Sequence, residues 1–154
     1  MKIDYTYSFD LPRDIVWKYI QDKEVLRHSL PGCKTFEEKD DGIYYSEMGL
    51  SVGPVKGLFT SEVKQVNQEP PSFYRLLVKG KGKPGEIDAI ANMQLDEETA
   101  ETTKVTCSAE VQVTGILASV GQRVMGGVAK VILGQFFKSA QAEMKKQLSA
   151  LNQE

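Results

Sequence analysis

The chain has 154 residues, 41% of them hydrophobic and 26% charged, with a formal net charge of −2 and a pI near 5.6. This size fits one domain spanning residues 1–154, and the near-neutral charge argues against nucleic acid and against strong attraction to anionic lipid. Because no signal peptide, cysteine framework or apolar run of roughly 18 residues is visible, we expect a cytoplasmic protein without an integral membrane anchor. Peripheral attachment to the inner membrane face stays open.

The N-terminal segment changes from a strand pattern to a helix pattern. KIDYTYSF places every second residue, from Ile3 to Phe9, on one apolar face, which predicts a half-buried strand. DLPRDIVWKYI has helical spacing, with Asp10 as its candidate N-cap. DKEVLRHSL predicts a second short helix, capped near Asp22 and ended by Pro31 and Gly32.

Apolar and polar residues then alternate, with a period of two, as far as Val113. This alternation predicts strands at 33–39, 42–51, 54–66, 72–81, 86–96 and 102–113, separated by turn-prone segments. Short connections between successive strands indicate an antiparallel meander with one apolar and one polar face. The sequence therefore predicts an α+β fold, in which a curved antiparallel sheet of about seven strands grips a long C-terminal helix.

The stretch GQRVMGGVAKVILGQFF, residues 121–137, has helical spacing but contains four glycines. Each glycine weakens a helix by roughly 0.5–1 kcal/mol relative to alanine. The apolar residues form two series that lie some 160° apart around one helix, at about 100° per residue. We therefore expect a bend or break near Gly126 and Gly127, with the first segment gating a cavity. The alternative is that the glycines let the helix approach the sheet closely.

Three motifs in this order, HSLPGCKTFE, VGPVKGLFTSEV and GQRVMGGVAKVILGQFF, resemble the CO dehydrogenase G-subunit family of the START/Bet v 1-like (SRPBCC) superfamily. The resemblance covers Tyr7 to about Phe137. It implies a helix-grip fold around a hydrophobic cavity. It also implies an accessory role beside a carbon monoxide dehydrogenase or a related molybdenum hydroxylase.

On that resemblance we expect a non-catalytic protein without a cofactor that binds an apolar small molecule such as a lipid or quinone. The partners would be this ligand and molybdenum hydroxylase subunits, with a homodimer left open. Two alternatives remain: a cavity enzyme, such as a cyclase or hydrolase acting on an aromatic polyketide, and a pure assembly factor. The enzyme requires acid–base groups in the pocket, whereas the inward-facing residues are almost wholly apolar.

The residues expected to line the cavity, with Gly126 and Gly127 as its gate, are Leu30, Met48, Phe59, Leu76, Met93, Cys107, Val124, Val128 and Ile132. The methionines and Cys107 could equally be core residues. His28 is the only histidine, which excludes a multi-histidine metal site, and we expect it to pack or cap near the end of the second helix. Cys33 has no assured basic neighbour except Lys34 that would lower its pKa.

Overall fold

Seven strands and four helices are present in the computed structural model, which describes residues 1–40 and 42–152. The predicted domain also includes residues 41, 153 and 154, which lie outside the described residues. The elements are β1 (Lys2–Phe9), α1 (Arg13–Ile20), α2 (Lys23–Ser29), β2 (Cys33–Asp40), β3 (Ile43–Val52), β4 (Val55–Glu69), β5 (Phe73–Gly82), β6 (Gly85–Glu97), β7 (Thr103–Val113), α3 (Ile116–Ser119) and α4 (Gln122–Asn152).

The strands form one antiparallel sheet in the order β1-β7-β6-β5-β4-β3-β2. Strands β2 to β7 are joined in sequence order by short turns, and β1 pairs with β7 along its whole length. Every predicted strand boundary falls within three residues of the observed one. The predicted α+β helix-grip fold is confirmed, because alternating apolar residues fix both the strand extents and the face that they bury.

The two short helices differ in how they begin. Asp22 caps α2 as predicted: its Oδ2 accepts hydrogen bonds from the backbone N–H groups of Glu24 and Val25, both at 3.1 Å. The prediction that Asp10 caps α1 is wrong, because α1 begins at Arg13 and its N-cap is Pro12. The Asp10 carboxylate reaches α4 instead, where Lys145 Nζ lies 3.1 Å from its Oδ2.

Helix α4 runs without interruption through Gly126 and Gly127. The predicted break at these glycines is therefore wrong; the break comes at Gly121, where a φ of +97° separates α3 from α4. The unbroken helix buries opposite sides in its two halves, since the nine-residue step from Val128 to Phe137 turns it by about 180°. No break is needed because each half packs against a different set of buried residues. The buried residues are Met125 and Val128 in the first half and Phe137, Ala140 and Met144 in the second.

Two separate hydrophobic cores lie between the sheet and the helices. The first core packs the C-terminal half of α4 against β1, β5–β7, α1 and α2, around the fully buried Phe9, Leu95 and Phe137. The second core packs α3 and the first turns of α4 against the β3–β4 hairpin, around Val55 and Leu117. The helix is thus held at two places along the sheet.

Candidate functional site

A strip of half-buried residues separates the two cores on the concave face of the sheet. Val63, Val78 and Ala89 are in register across β4, β5 and β6. They lie an even number of residues from buried concave-face residues such as Phe59 and Met93, so they share that face. All three are nonetheless only half-buried. The space between sheet and helix is therefore open to solvent along this strip.

The next row of the strip carries polar groups that the sequence analysis missed. Ser46 on β3 and Ser61 on β4 are paired in register, and their hydroxyl groups are hydrogen-bonded to each other. Gln65 lies on the same face four residues further along β4. Counting in steps of two from Phe59 would have placed Ser61 and Gln65 inside. The interior is therefore apolar with a short polar segment on β3 and β4.

The predicted lining residues divide between the cores and the surface. Phe59, Val128 and Ile132 come together in the second core, and Leu76, Met93 and Cys107 in the first. Leu30 and Met48 are half-buried and belong to neither core. The inward placement of Val124 is wrong: its side chain is 48% exposed, because its neighbour Met125 occupies the buried row.

Neither cysteine is activated, and the buried Tyr74 is not activated either. Burial, together with the charge of Asp4, raises the pKa of the Cys107 thiol to about 11. Burial likewise raises the pKa of the Tyr74 hydroxyl well above its ordinary value. Partial burial raises the pKa of the Cys33 thiol, and Arg27 offsets this only in part. All three groups are therefore protonated at neutral pH.

Charged groups stay outside in the described part of the chain, where the buried polar residues are two serines and a threonine. The side chain of His28 is 49% exposed and its Nε2 lies 3.7 Å from Glu24 Oε2, so it neither packs in the interior nor caps the helix end. Within residues 1–40 and 42–152, no three metal-ligating side chains come together. None of the helices in the described part of the chain has the length and the mean hydropathy that a membrane-spanning helix needs.

The four glycines of the 121–137 stretch have different surroundings. A Cβ added at Gly134 would lie 3.0 Å from the Tyr5 hydroxyl oxygen, so glycine permits close approach of α4 to β1 at this point. A Cβ at Gly126 or Gly127 would meet no atom of the described chain within 4 Å outside the helix backbone. These two glycines instead border a groove of about 430 Å³ between α4 and the start of β1. The close-packing alternative therefore holds for Gly134 only, and the gate stays a prediction.

An antiparallel sheet that grips a long C-terminal helix, with an open strip between two cores, defines a START-like protein of the helix-grip class. Residues 7–145 match the family of the carbon monoxide dehydrogenase G subunit (CoxG). The chain belongs to this family, as the sequence motifs predicted.

Solved structures share the fold of this chain. The chain is similar to a conserved protein from Geobacillus kaustophilus, with 30% identity, a TM-score of 0.91 and coverage of 95% of this chain and 96% of that one. A START superfamily protein from Mycobacterium smegmatis has 8% identity, a TM-score of 0.71 and coverage of 95% and 98%. The aromatase/cyclase Zhui from Streptomyces sp. R1128 has 14% identity, a TM-score of 0.66 and coverage of 96% and 95%, so it shares the fold. The comparison with curated protein sequences gave no significant match.

Proposed function

We propose that this protein binds an apolar small molecule, of the lipid or quinone class, in the strip between the two cores. The observation that supports this is the half-burial of Val63, Val78 and Ala89 on a face that should be fully covered. Apolar side chains that stay in contact with water are unfavourable, by roughly 25 cal/mol per Å² of apolar surface relative to burial. A ligand that covers these side chains removes that cost.

The chemistry of the strip favours recognition by apolar burial. Each methylene removed from water contributes about 0.8 kcal/mol, so a chain of ten supplies useful affinity without ionic contacts. The hydroxyl groups of Ser46 and Ser61 and the amide of Gln65 offer hydrogen bonds to one polar group of the ligand, such as a carbonyl. This composition suits an amphiphile with one neutral polar group.

We further propose that the protein does not catalyse a reaction and serves as an accessory subunit of a carbon monoxide dehydrogenase or a related molybdenum hydroxylase. The family to which the chain belongs supports the partner. The raised pKa values of Cys107 and Tyr74 support a role without acid–base chemistry, because both groups stay protonated at neutral pH.

A bulky side chain that projects into the strip tests this proposal. Ala89 faces the strip, whereas its neighbour Ile90 is 50% exposed on the outer face of β6. We expect Ala89→Trp to weaken the binding of a fluorescent fatty acid by at least about tenfold, because the indole ring occupies the place of the ligand. The binding of a short-chain quinone, measured by its displacement of the fatty acid, should weaken to the same extent. The matched control Ile90→Trp should bind like the original protein. Equal binding by Ala89→Trp would refute the strip as the site.

Native mass spectrometry of the purified protein, before and after organic extraction, tests the choice of class. A copurified lipid or quinone that disappears on extraction supports the carrier. An empty chain that elutes with the purified hydroxylase, and binds neither probe, would instead indicate an assembly factor. Turnover of an aromatic polyketide would indicate the enzyme.

A further inference from the structure

Strand β1 is an edge of the sheet, and alternate residues of its backbone face away from the sheet. The Val111 N–H donates a hydrogen bond to the Met1 carbonyl oxygen at 2.8 Å, and the Met1 amine donates to the Val111 carbonyl oxygen at 2.6 Å. Hydrogen-bonded pairs alternate along an antiparallel ladder, so Ile3 is the next residue that bonds to β7. The N–H and C=O groups of Lys2 and Asp4 therefore point to the free edge, where the described chain supplies no further strand.

Helix α4 diverges from this edge toward its N-terminus. At Gly134 the helix lies close to β1, because a Cβ there would be 3.0 Å from the Tyr5 hydroxyl oxygen. About two turns earlier, Gly126 and Gly127 border the groove of about 430 Å³ between the helix and the start of β1. The helix rises about 12 Å over residues 122–130, which is the length of about four residues of an extended chain. The groove thus has room for a short strand beside the free backbone groups.

The side chains around the groove are mainly basic. Lys2, Arg123 and Lys130 are exposed, and none of them forms a salt bridge with a described residue. Arg123 and Lys130 are about two turns apart and share one side of α4. The acidic residue among the described lining residues, Asp4, is turned toward β7, because its Oδ1 accepts a hydrogen bond from the Ser108 hydroxyl at 2.9 Å. An occupant of the groove therefore meets more positive than negative charge.

We propose that an extended acidic segment of a partner protein adds to the edge of β1 and fills this groove. It runs antiparallel to β1, as neighbouring strands do throughout the sheet, and its backbone exchanges hydrogen bonds with Lys2 and Asp4. Alternate side chains of the added strand point toward α4, where the two glycines leave space and Arg123 and Lys130 attract carboxylates. The inference is independent of the ligand in the strip.

A symmetric pair of copies suits the groove less well than an acidic segment. Two copies joined through β1 would bring the same basic side chains together, because a two-fold interface apposes identical surfaces. Like charges in such an interface oppose association. A lysine on an edge strand, such as Lys2, likewise discourages pairing between copies, whereas it attracts an acidic strand.

A synthetic peptide of about seven residues, in which Glu and Val alternate, tests this proposal. In an extended chain all its carboxylates share one face. We expect fluorescence anisotropy to show that the labelled peptide binds the full chain and that salt weakens the binding. Arg123→Glu with Lys130→Glu should weaken it by about tenfold or more, because two attractions become repulsions. Gly127→Leu should also weaken it, because the side chain enters the groove without meeting the rest of the protein.

N-methylation of the peptide distinguishes strand addition from attraction of charge alone. Residues directly opposite each other on antiparallel strands point to the same face, so the peptide residues that bond to Lys2 and Asp4 have their side chains on the outer face. With the Glu side chains directed to α4, these residues are the valines. N-methyl groups on the valines should therefore weaken binding by at least about tenfold, whereas N-methyl groups on the glutamates should not. The amides of Lys2 and Asp4 should exchange their hydrogens more slowly in the complex.

Matched controls use the second half of α4. Lys138→Glu with Lys146→Glu changes the net charge by the same amount as the groove pair, and Ala142→Leu adds a leucine at another exposed position. Both controls should bind the peptide like the original protein, and thermal unfolding checks that every variant is folded.

Analytical ultracentrifugation of the protein without peptide tests a second copy as the occupant. Self-association that Arg123→Glu with Lys130→Glu abolishes would overturn the proposal in favour of that occupant. No binding of the unmodified peptide, equal binding of the two N-methylated peptides, or equal losses in the control and groove variants would also overturn it.

Discussion

At the scale of single residues, Phe137 determines where the last helix lies. It is fully buried, and its ring stacks against Tyr5 and Tyr7 of β1 at centroid distances of 5.8 and 5.6 Å. The ring of Phe9 meets it edge-on at 5.9 Å. One side chain thus joins α4 to the edge strand of the sheet.

We expect Phe137→Ala to lower the free energy of unfolding by about 3–5 kcal/mol, because it removes a buried aromatic ring and leaves a cavity. Denaturant unfolding monitored by circular dichroism measures this change. Val131→Ala, on the same helix but 47% exposed, should change the free energy by less than about 0.5 kcal/mol. Similar losses in the two variants would contradict the role of Phe137.

The Cys107 thiol should make the protein sensitive to alkali. Its pKa rises from about 9 in the unfolded chain to about 11 in the folded protein. Below pH 9 both states hold the proton and stability is unaffected; between pH 9 and 11 only the unfolded state loses it, so stability falls by up to about 1.4 kcal/mol per pH unit. Cys107→Val should show a smaller decline between about pH 8 and about 10.5 in denaturant unfolding. An identical decline would show that this thiol does not contribute.

The sequence allowed only some individual side chains to be placed. Cys107 and Met93 were expected in the core or the cavity, and both lie in the first core. Val124 was misplaced because a one-residue error in the helical row exchanges it with Met125, and both are apolar. Strand residues carry less ambiguity, since alternation allows two faces only. The Ser46–Ser61 pair was not predicted, because cross-strand register depends on the residues at which the β3–β4 turn begins and ends, and the predicted bounds there are each displaced by one residue.

At the scale of elements, the glycines in and before α4 have effects of opposite sign on stability. Gly126 and Gly127 have ordinary helical φ values and open space where a Cβ would lie. Gly121, in contrast, has a φ of +97°, which an alanine adopts only with strain.

We therefore expect Gly126→Ala with Gly127→Ala to raise the free energy of unfolding by about 1–2 kcal/mol. Gly121→Ala should lower it by about 1 kcal/mol or more, because the left-handed conformation disfavours a Cβ. Denaturant unfolding of both variants provides the comparison. Destabilisation by the double alanine variant would mean that its glycines have a conformational role after all.

The same double variant tests the gate that the sequence predicts. If opening of α4 near these glycines limits ligand exchange, alanine should slow the stopped-flow release of a fluorescent fatty acid. Release at the original rate, alongside the expected gain in stability, would reject the gate.

The strand boundaries could be predicted from the sequence, because the alternation of apolar residues and the turn-forming residues indicate the same bounds from β2 to β7. The start of α4 could not be predicted, since the apolar pattern continues from Leu117 through Gly121 into the helix. Backbone φ at a single glycine decides that boundary, and periodicity carries no information about φ.

At the scale of the whole molecule, the open strip links ligand content to stability. A ligand that binds only the folded state at about 100 times its Kd adds about 2.7 kcal/mol. For a chain of this size that corresponds to roughly 5–11 °C in Tm. We expect organic extraction followed by refolding to lower the Tm by this order, and added fatty acid or quinone to restore it. An unchanged Tm at saturating ligand would contradict binding in the strip.

Strand direction, rather than composition, decides which turns share one end of the molecule. The antiparallel meander predicted from the sequence already groups alternate turns at one end. The position of α3 beside the β5–β6 turn, in contrast, required the structure.

Strand β2 is the free edge of the sheet opposite β1, and it ends in the charged run Glu37, Glu38, Lys39 and Asp40. An unpaired edge exposes backbone N–H and C=O groups that a second chain could extend into a continuous fibre. A parallel, in-register copy at this edge would bring the carboxylates of Glu37, Glu38 and Asp40 against their own counterparts and desolvate them. The edge is thus protected against parallel stacking of identical chains.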